Sequence, residues 1–200
     1  MVGVPRDEIK RKGFHLLSLI YVFGYWYLSK ITVVCGLVIA IVIVVLLEYL
    51  RFKILRLNNF FKNNFKGVYR PEEADKISGL TGTLSGALLA ILIFPNRYMV
   101  FASFLYFVFG DSAAALTGKI FGGHKTFAGK SLEGSLTCLA VCFIAGLFIF
   151  NWQFALAGAV IAAIVEAVPW KISDNFWMQI INAGVLTLLS YIMSPVNYIR

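Results

Sequence analysis

The chain has 200 residues, 60% of them hydrophobic and 14% charged, with a mean hydropathy of +0.80. That balance excludes an ordinary soluble domain, which needs more polar surface to cover its core, and the length suits a single domain spanning residues 1–200. The formal net charge of +8 would suggest nucleic acid in a soluble protein. Here the charge lies in short loops between apolar runs, so topology, anionic lipid or nucleotide explains it better and no nucleic-acid partner is expected.

Charges divide the sequence into spans. Phe14 to Ser29 is uncharged and aromatic; Ile31 to Leu47 is uncharged and mostly Val, Ile and Leu. The first apolar run is followed by others without a small-residue cleavage pattern, so no signal peptide is expected. Arg51 to Lys66 alternates Phe52, Leu55, Phe60 and Phe61 with Arg56, Lys62 and asparagines, which predicts an amphipathic piece in the membrane interface or a basic loop anchored by aromatics. Ile77 to Asn96 is uncharged, and Tyr98 to Gly118 carries only Asp111 before Lys119. Gly134 to Val165 is uncharged but interrupted by Asn151 and Gln153. At roughly 1.5 Å per residue it is too long for one crossing of a ~30 Å core and reads as a helical hairpin. Asn175 to Met193 supplies the last span. Backbone polar groups in lipid must bond internally, and no period-two pattern is present. The expected fold is therefore all-α: a polytopic integral membrane protein with about seven transmembrane helices.

Basic residues set the orientation. With the N-terminus cytosolic, the inner segments hold Arg6, Lys10, Arg11, Lys12, Arg51, Lys53, Arg56, Lys62, Lys66, Arg70, Lys76, Lys119, Lys125, Lys130 and Lys171, against Lys30, Arg97 and Arg200 outside. This follows the positive-inside rule and puts the chemistry on the cytosolic face. Tyr25, Trp26 and Tyr27 are expected in an outer aromatic belt. Cys35, Cys138 and Cys142 read as buried, unpaired thiols without zinc spacing. Glu48 with Arg51 reads as a topological ion pair, and Gly82-x-x-x-Gly86 as a helix contact. No internal repeat or low-complexity linker is visible.

The chemistry concentrates between Phe109 and Gly134. Asp111 lies about two turns inside an apolar helix, where a charge is expensive and needs a partner or a task. On that helix Asp111, Ala114, Ala115, Gly118 and Lys119 share one face, so a ligand or another backbone can approach closely. The structural alternative is a tight helix contact with Asp111 paired to a lysine. Gly122, Gly123, His124 and Lys125, followed by Gly129, Lys130 and a helix start near Ser131, combine exposed N–H groups, cations and a helix N-terminus. That combination suits a polyphosphate, although the Walker A spacing is absent. A solvated topogenic loop is the alternative, with Glu133 simply complementing the helix dipole.

Asp111-x-x-Ala114-x-x-x-Gly118-Lys119-x-x-Gly122, His124-Lys125 and Lys130-Ser131-x-Glu133-Gly134 together resemble the CTP-dependent lipid kinases: dolichol kinases, phytol kinases and yeast-type diacylglycerol kinase. The likeness to phosphatidate cytidylyltransferases is more distant, because their late His-Gly-Gly and Asp-Arg-x-Asp run is missing. Glu8-x-x-Arg11-Lys12-x-x-His15, Glu73 with Ser78-Gly79-x-Thr81, and Glu166-Ala-Val-Pro169 with Asp174-Asn175 extend the resemblance over nearly the whole chain. It implies Asp111, Lys130 and Glu133 as the catalytic set. Arg11, Lys12, His15, Gly118, Lys119, Gly122, Gly123, His124, Lys125, Lys130 and Ser131 would hold CTP. Asp111, Glu166 and Asp174 would bring carboxylates to Mg²⁺. Asp174 also reads as a helix N-cap, and Asn182 two turns on as an interhelical hydrogen bond. The implied reaction is phosphoryl transfer from CTP to the hydroxyl of a membrane lipid alcohol: a polyprenol or dolichol, a phytol-like isoprenoid or diacylglycerol. Cytidylyl transfer to a lipid phosphate and a non-catalytic transporter component are the competing readings.

Overall fold

A computed structural model describes residues 6–65, 76–126, 129–168, 170 and 173–193. Lys66, Arg70, Glu73, Pro169, Lys171 and Arg200 lie outside the described residues, as do Phe127 and Ala128. The regular elements of the described chain are helices: α1 (Arg6–Leu16), α2 (Leu19–Tyr27), α3 (Lys30–Lys53), α4 (Leu55–Asn64), α5 (Gly79–Ile93), α6 (Arg97–Leu105), a π-helical stretch (Tyr106–Asp111), α7 (Ser112–Phe121), α8 (Leu132–Leu147), α9 (Trp152–Ala167) and α10 (Asp174–Ile192). One isolated bridge, Lys125 with Ser131, pinches the loop before α8.

Local chemistry sets the helix starts. Ser29, Asn96, Ser131 and Asn151 each stand one residue before a helix, and each side chain accepts a backbone N–H of the first turn. Asn151 thereby divides the long uncharged run into the expected hairpin, α8 and α9. At α10 the cap position belongs to Ser173, and Asp174 is the first helical residue, where its charge faces the positive end of the helix dipole. The amphipathic expectation for the Arg51–Lys66 segment is met by α4 among its described residues.

Among the described residues two helices are long and apolar enough to cross a membrane, Lys30–Lys53 and the continuous rod Arg97–Phe121. At about 1.5 Å per residue, the 15 residues of α5 and the 16 each of α8 and α9 fall short of a ~30 Å hydrocarbon core. The rod is the axis of the bundle: Met99, Phe104, Tyr106, Phe107 and Val108 are wholly buried. Glycines let its neighbours approach. A Cβ on Gly146 would meet the Tyr106 hydroxyl at 2.5 Å, and one on Gly110 the Cys142 sulfur at 2.5 Å. The Gly82–Gly86 contact falls as expected, with Gly82 against Ser173 and Gly86 against the Phe176 backbone.

Some expectations are corrected. Tyr25 is buried against Phe104 rather than placed in an outer belt, and Trp26 packs on Tyr98 and Phe101; Tyr27 alone of the three is largely exposed. The reason is Arg97, which donates to the Tyr25, Trp26 and Leu28 carbonyls and pulls the end of α2 onto the rod. Cys35 is exposed, while Cys138 and Cys142 are buried. Asn182 is buried, and neither of its amide atoms finds a partner among the described residues.

Candidate active site

The π-helical stretch ends at Asp111, so the widened turn delivers this carboxylate to the head of α7. It meets α1 there. Lys12 donates to Asp111 Oδ2, and His15 Nε2 stands 3.7 Å from the same oxygen and 3.3 Å from the Phe107 carbonyl oxygen. All three side chains are nearly enclosed. One turn earlier on α1, Glu8 is buried with 2% of its side chain exposed, and it accepts from both Arg11 and Lys119. Two ion pairs therefore fasten the first helix to α7 across the site. The lysine partner of Asp111 comes from α1.

A third cluster also borders the site. Lys130 donates to Glu166 Oε1 at 3.0 Å and to the Glu166 main-chain carbonyl, and lies 3.8 Å from Asp174 Oδ2. Glu166 lies in the last turn of α9, Asp174 opens α10 and Lys130 precedes α8, so one ammonium draws three helix ends together. Below it Asn175 donates to Thr83 Oγ1 at 3.1 Å. Gln179 donates to the Thr83 carbonyl at 2.9 Å and accepts from the Tyr21 hydroxyl at 2.8 Å.

Between these clusters lies a cavity of about 1570 Å³. This exceeds the roughly 300–1,000 Å³ of a pocket for one small molecule and gives room for two substrates. Seven Lys and Arg side chains line it (Arg11, Lys12, Arg51, Lys76, Lys119, Lys125 and Lys130), together with the carboxylates of Glu48, Asp111, Glu166 and Asp174. The excess of cations suits an anion of several charges. Glu48 accepts from the Ser78 N–H at 2.8 Å and from the Thr81 hydroxyl at 3.1 Å, which turns the Ser78-Gly79-x-Thr81 segment into the cavity wall. Among the described residues no group of three or more His, Cys, Asp or Glu is placed to hold a metal. Glu166 and Asp174 do share one cation, and a Mg²⁺ site needs only one or two carboxylates beside water and phosphate oxygens, so the donor set fits that ion.

The glycine loop divides into two parts. Gly118, Gly122, Lys125, Gly129, Lys130 and Ser131 reach the cavity wall; Gly123, His124 and Glu133 are not among its lining residues. Glu133 turns outward as the second residue of α8 and accepts from the His124 N–H at 3.1 Å and its ring Nδ1 at 2.8 Å. The His124 ring hydrogen bond holds its carboxyl below the usual glutamate range. The close backbone approach read from the small residues is present, and the structure adds its partner. A Cβ on Gly118 would stand 2.6 Å from Ser131 Oγ, and one on Gly134 would stand 2.8 Å from the Ala114 carbonyl oxygen. These glycines press α7 onto the start of α8. Gly134→Ala is expected to destabilise the protein by about 1–3 kcal/mol, because the obstacle is backbone. Gly123→Ala, whose Cβ would meet nothing nearer than 3.7 Å, should stay within about 0.5 kcal/mol. Thermal denaturation in detergent checks both.

Glu8 was missed as a site residue, although it opens the Glu8-x-x-Arg11-Lys12-x-x-His15 motif. A carboxylate at the position three before Arg11 on a helix was the available signal.

No protein-family model and no solved structure matches the chain. The uncharacterized protein RP860 of Rickettsia prowazekii is 31% identical to it over 146 residues, which cover 71% of this chain and 68% of that relative. The uncharacterized protein MJ1137 of Methanocaldococcus jannaschii is 26% identical over 197 residues, covering 96% of this chain and 99% of the relative.

Proposed function

The chain belongs to the family of the Rickettsia prowazekii protein RP860, and we propose that it is a multi-pass membrane enzyme that phosphorylates the hydroxyl of a lipid alcohol, with CTP as donor. The observation that carries this reading is the one cavity lined by the Lys12–Asp111 and Lys130–Glu166 pairs and by Lys119, whose own partner Glu8 lies just outside the lining. Ile39, Val42, Ile43 and Leu46 on α3 are each more than half exposed, a surface suited to lipid and not to water. The proposed multi-pass arrangement, with the cavity cations on the cytosolic side, follows the positive-inside rule.

In this reaction the lipid hydroxyl sits against Asp111, held in place by Lys12 and flanked by His15. Asp111 takes the hydroxyl proton as the oxygen bonds to the terminal phosphorus of the nucleotide. The bond from that phosphorus to its bridging oxygen breaks, and the nucleoside diphosphate leaves. Lys119, Lys125, Lys130 and Arg11 place ammonium and guanidinium groups where phosphate oxygens gain charge. Glu166 and Asp174 are the residues that would hold Mg²⁺, which supplies charge neutralisation when bound.

The test is a product assay on purified protein in mixed micelles, with CTP labelled at the γ-phosphate, Mg²⁺ and a panel of lipid alcohols. Label in the lipid with release of CDP is the expected result. Pyrophosphate released with phosphatidate as acceptor, and no labelled alcohol, would overturn it in favour of cytidylyl transfer.

A further inference from the structure

We infer that the lipid reaches the ion-pair clusters sideways from the bilayer, through an apolar fissure whose wall is α3, with its hydrocarbon chain lying beside Val44 and Leu47. The inference rests on the lipid-alcohol reading above and adds where the chain is held.

The cavity is not confined to the polar surface. On α3 its lining runs from Arg51 back through Leu47 to Val44, eight residues spanning about 10 Å along the axis. The spacing 44, 47, 48, 51 is one face of a helix. That face changes character with depth: cationic at Arg51, carboxylate at Glu48, apolar at Leu47 and Val44. On α5 the lining likewise runs from Gly79 to Ser85. A purely aqueous nucleotide site has no use for the aliphatic turn that Val44 and Leu47 add to its wall. A lipid whose head is at Asp111 needs such a wall, because its chain must leave the polar cluster without crossing water.

Packing leaves the route between two helix pairs. α1 packs on α7, whereas α3 packs on α5. The rings of Phe14, on α1, and Phe65, at the end of α4, meet edge-on at 6.0 Å and join the two sides near the cavity mouth. Phe61 stacks on Phe65 at 5.6 Å, so α4 carries an aromatic lintel over the fissure. All three phenylalanines line the same cavity as Lys12 and Asp111. That continuity selects the tail of the lipid being phosphorylated as the occupant.

The test uses the full chain in phosphatidylcholine nanodiscs with a long-chain alcohol carrying a diazirine in its tail, mapped by mass spectrometry without nucleotide. Labelling is expected at Val44 and Leu47 above the outward positions Val42 and Leu46, and unlabelled long-chain alcohol should compete it away. Leu47→Trp fills the fissure at a position already 40% exposed, so folding tolerates it; the competed labelling should fall about tenfold, while Leu46→Trp leaves it unchanged. Labelling that is uniform around α3, or that excess alcohol does not compete, would overturn the fissure even where phosphoryl transfer is found. Competed labelling without transfer to any alcohol would retain the fissure and reject the kinase.

Discussion

Asp111→Asn is expected to abolish phosphoryl transfer and to destabilise the protein as well. The carboxylate is the proposed acceptor of the hydroxyl proton, and losing a positioned base costs about 10²–10⁴ in rate. The stability effect has a separate cause. Lys12 keeps only 8% of its side chain exposed, and Asp111 only 12%. Neutralising one partner of a buried pair leaves the other charge without compensation, at a cost of about 3–5 kcal/mol. The double variant Asp111→Asn with Lys12→Met removes that stranded charge. It should recover much of the melting temperature in detergent while remaining inactive. A double variant as unstable as the single one would show that the pair does not carry the stability. Asp111→Asn with an undiminished turnover would remove Asp111 from the chemistry.

Lys130→Met should produce the second largest effect, and of a different kind. Its ammonium lies between Glu166 and Asp174, at 3.0 and 3.8 Å. Without it two carboxylates from different helices face each other across a site meant for a polyanion. Turnover should fall about 10²–10³-fold, as for loss of a donor to developing phosphate charge, and the KM for the nucleotide should rise. The KM for the lipid alcohol should stay near its original value, because the inferred fissure is walled by α3 residues and not by Lys130. Initial rates with each substrate varied in turn make the distinction. A rise confined to the lipid KM would mean that Lys130 serves the acceptor instead.

Much of this site was legible before any coordinates. Asp111 declared itself by being a charge within an apolar run, and the face it shares with Ala114, Ala115, Gly118 and Lys119 follows from helical spacing alone. All five line the cavity. Ser131 and Asn151 announced helix starts through their side chains. Partners were not legible. Lys12 and Asp111 are separated by 99 positions, and Lys119 and Glu8 by 111. No local pattern states which cation folds onto which carboxylate. Glu133 shows the reverse: a motif placed it among catalytic groups, and the structure adds that, in the first turn of α8, it pairs with His124 outside the cavity lining.

Hydropathy and charge by themselves determined the helical class, the boundaries of the apolar runs and the gathering of basic residues in a few segments. Those properties are local, fixed by burial preference and by the need of each backbone N–H and C=O for a partner within its own helix. Tertiary structure alone decided that α1 closes over Asp111, that Lys130 joins three helix ends, and that Gly118 and Gly134 exist to seat α7 against α8. Each of these depends on the distance between elements far apart in the chain, and helix packing sets that distance through side-chain volume.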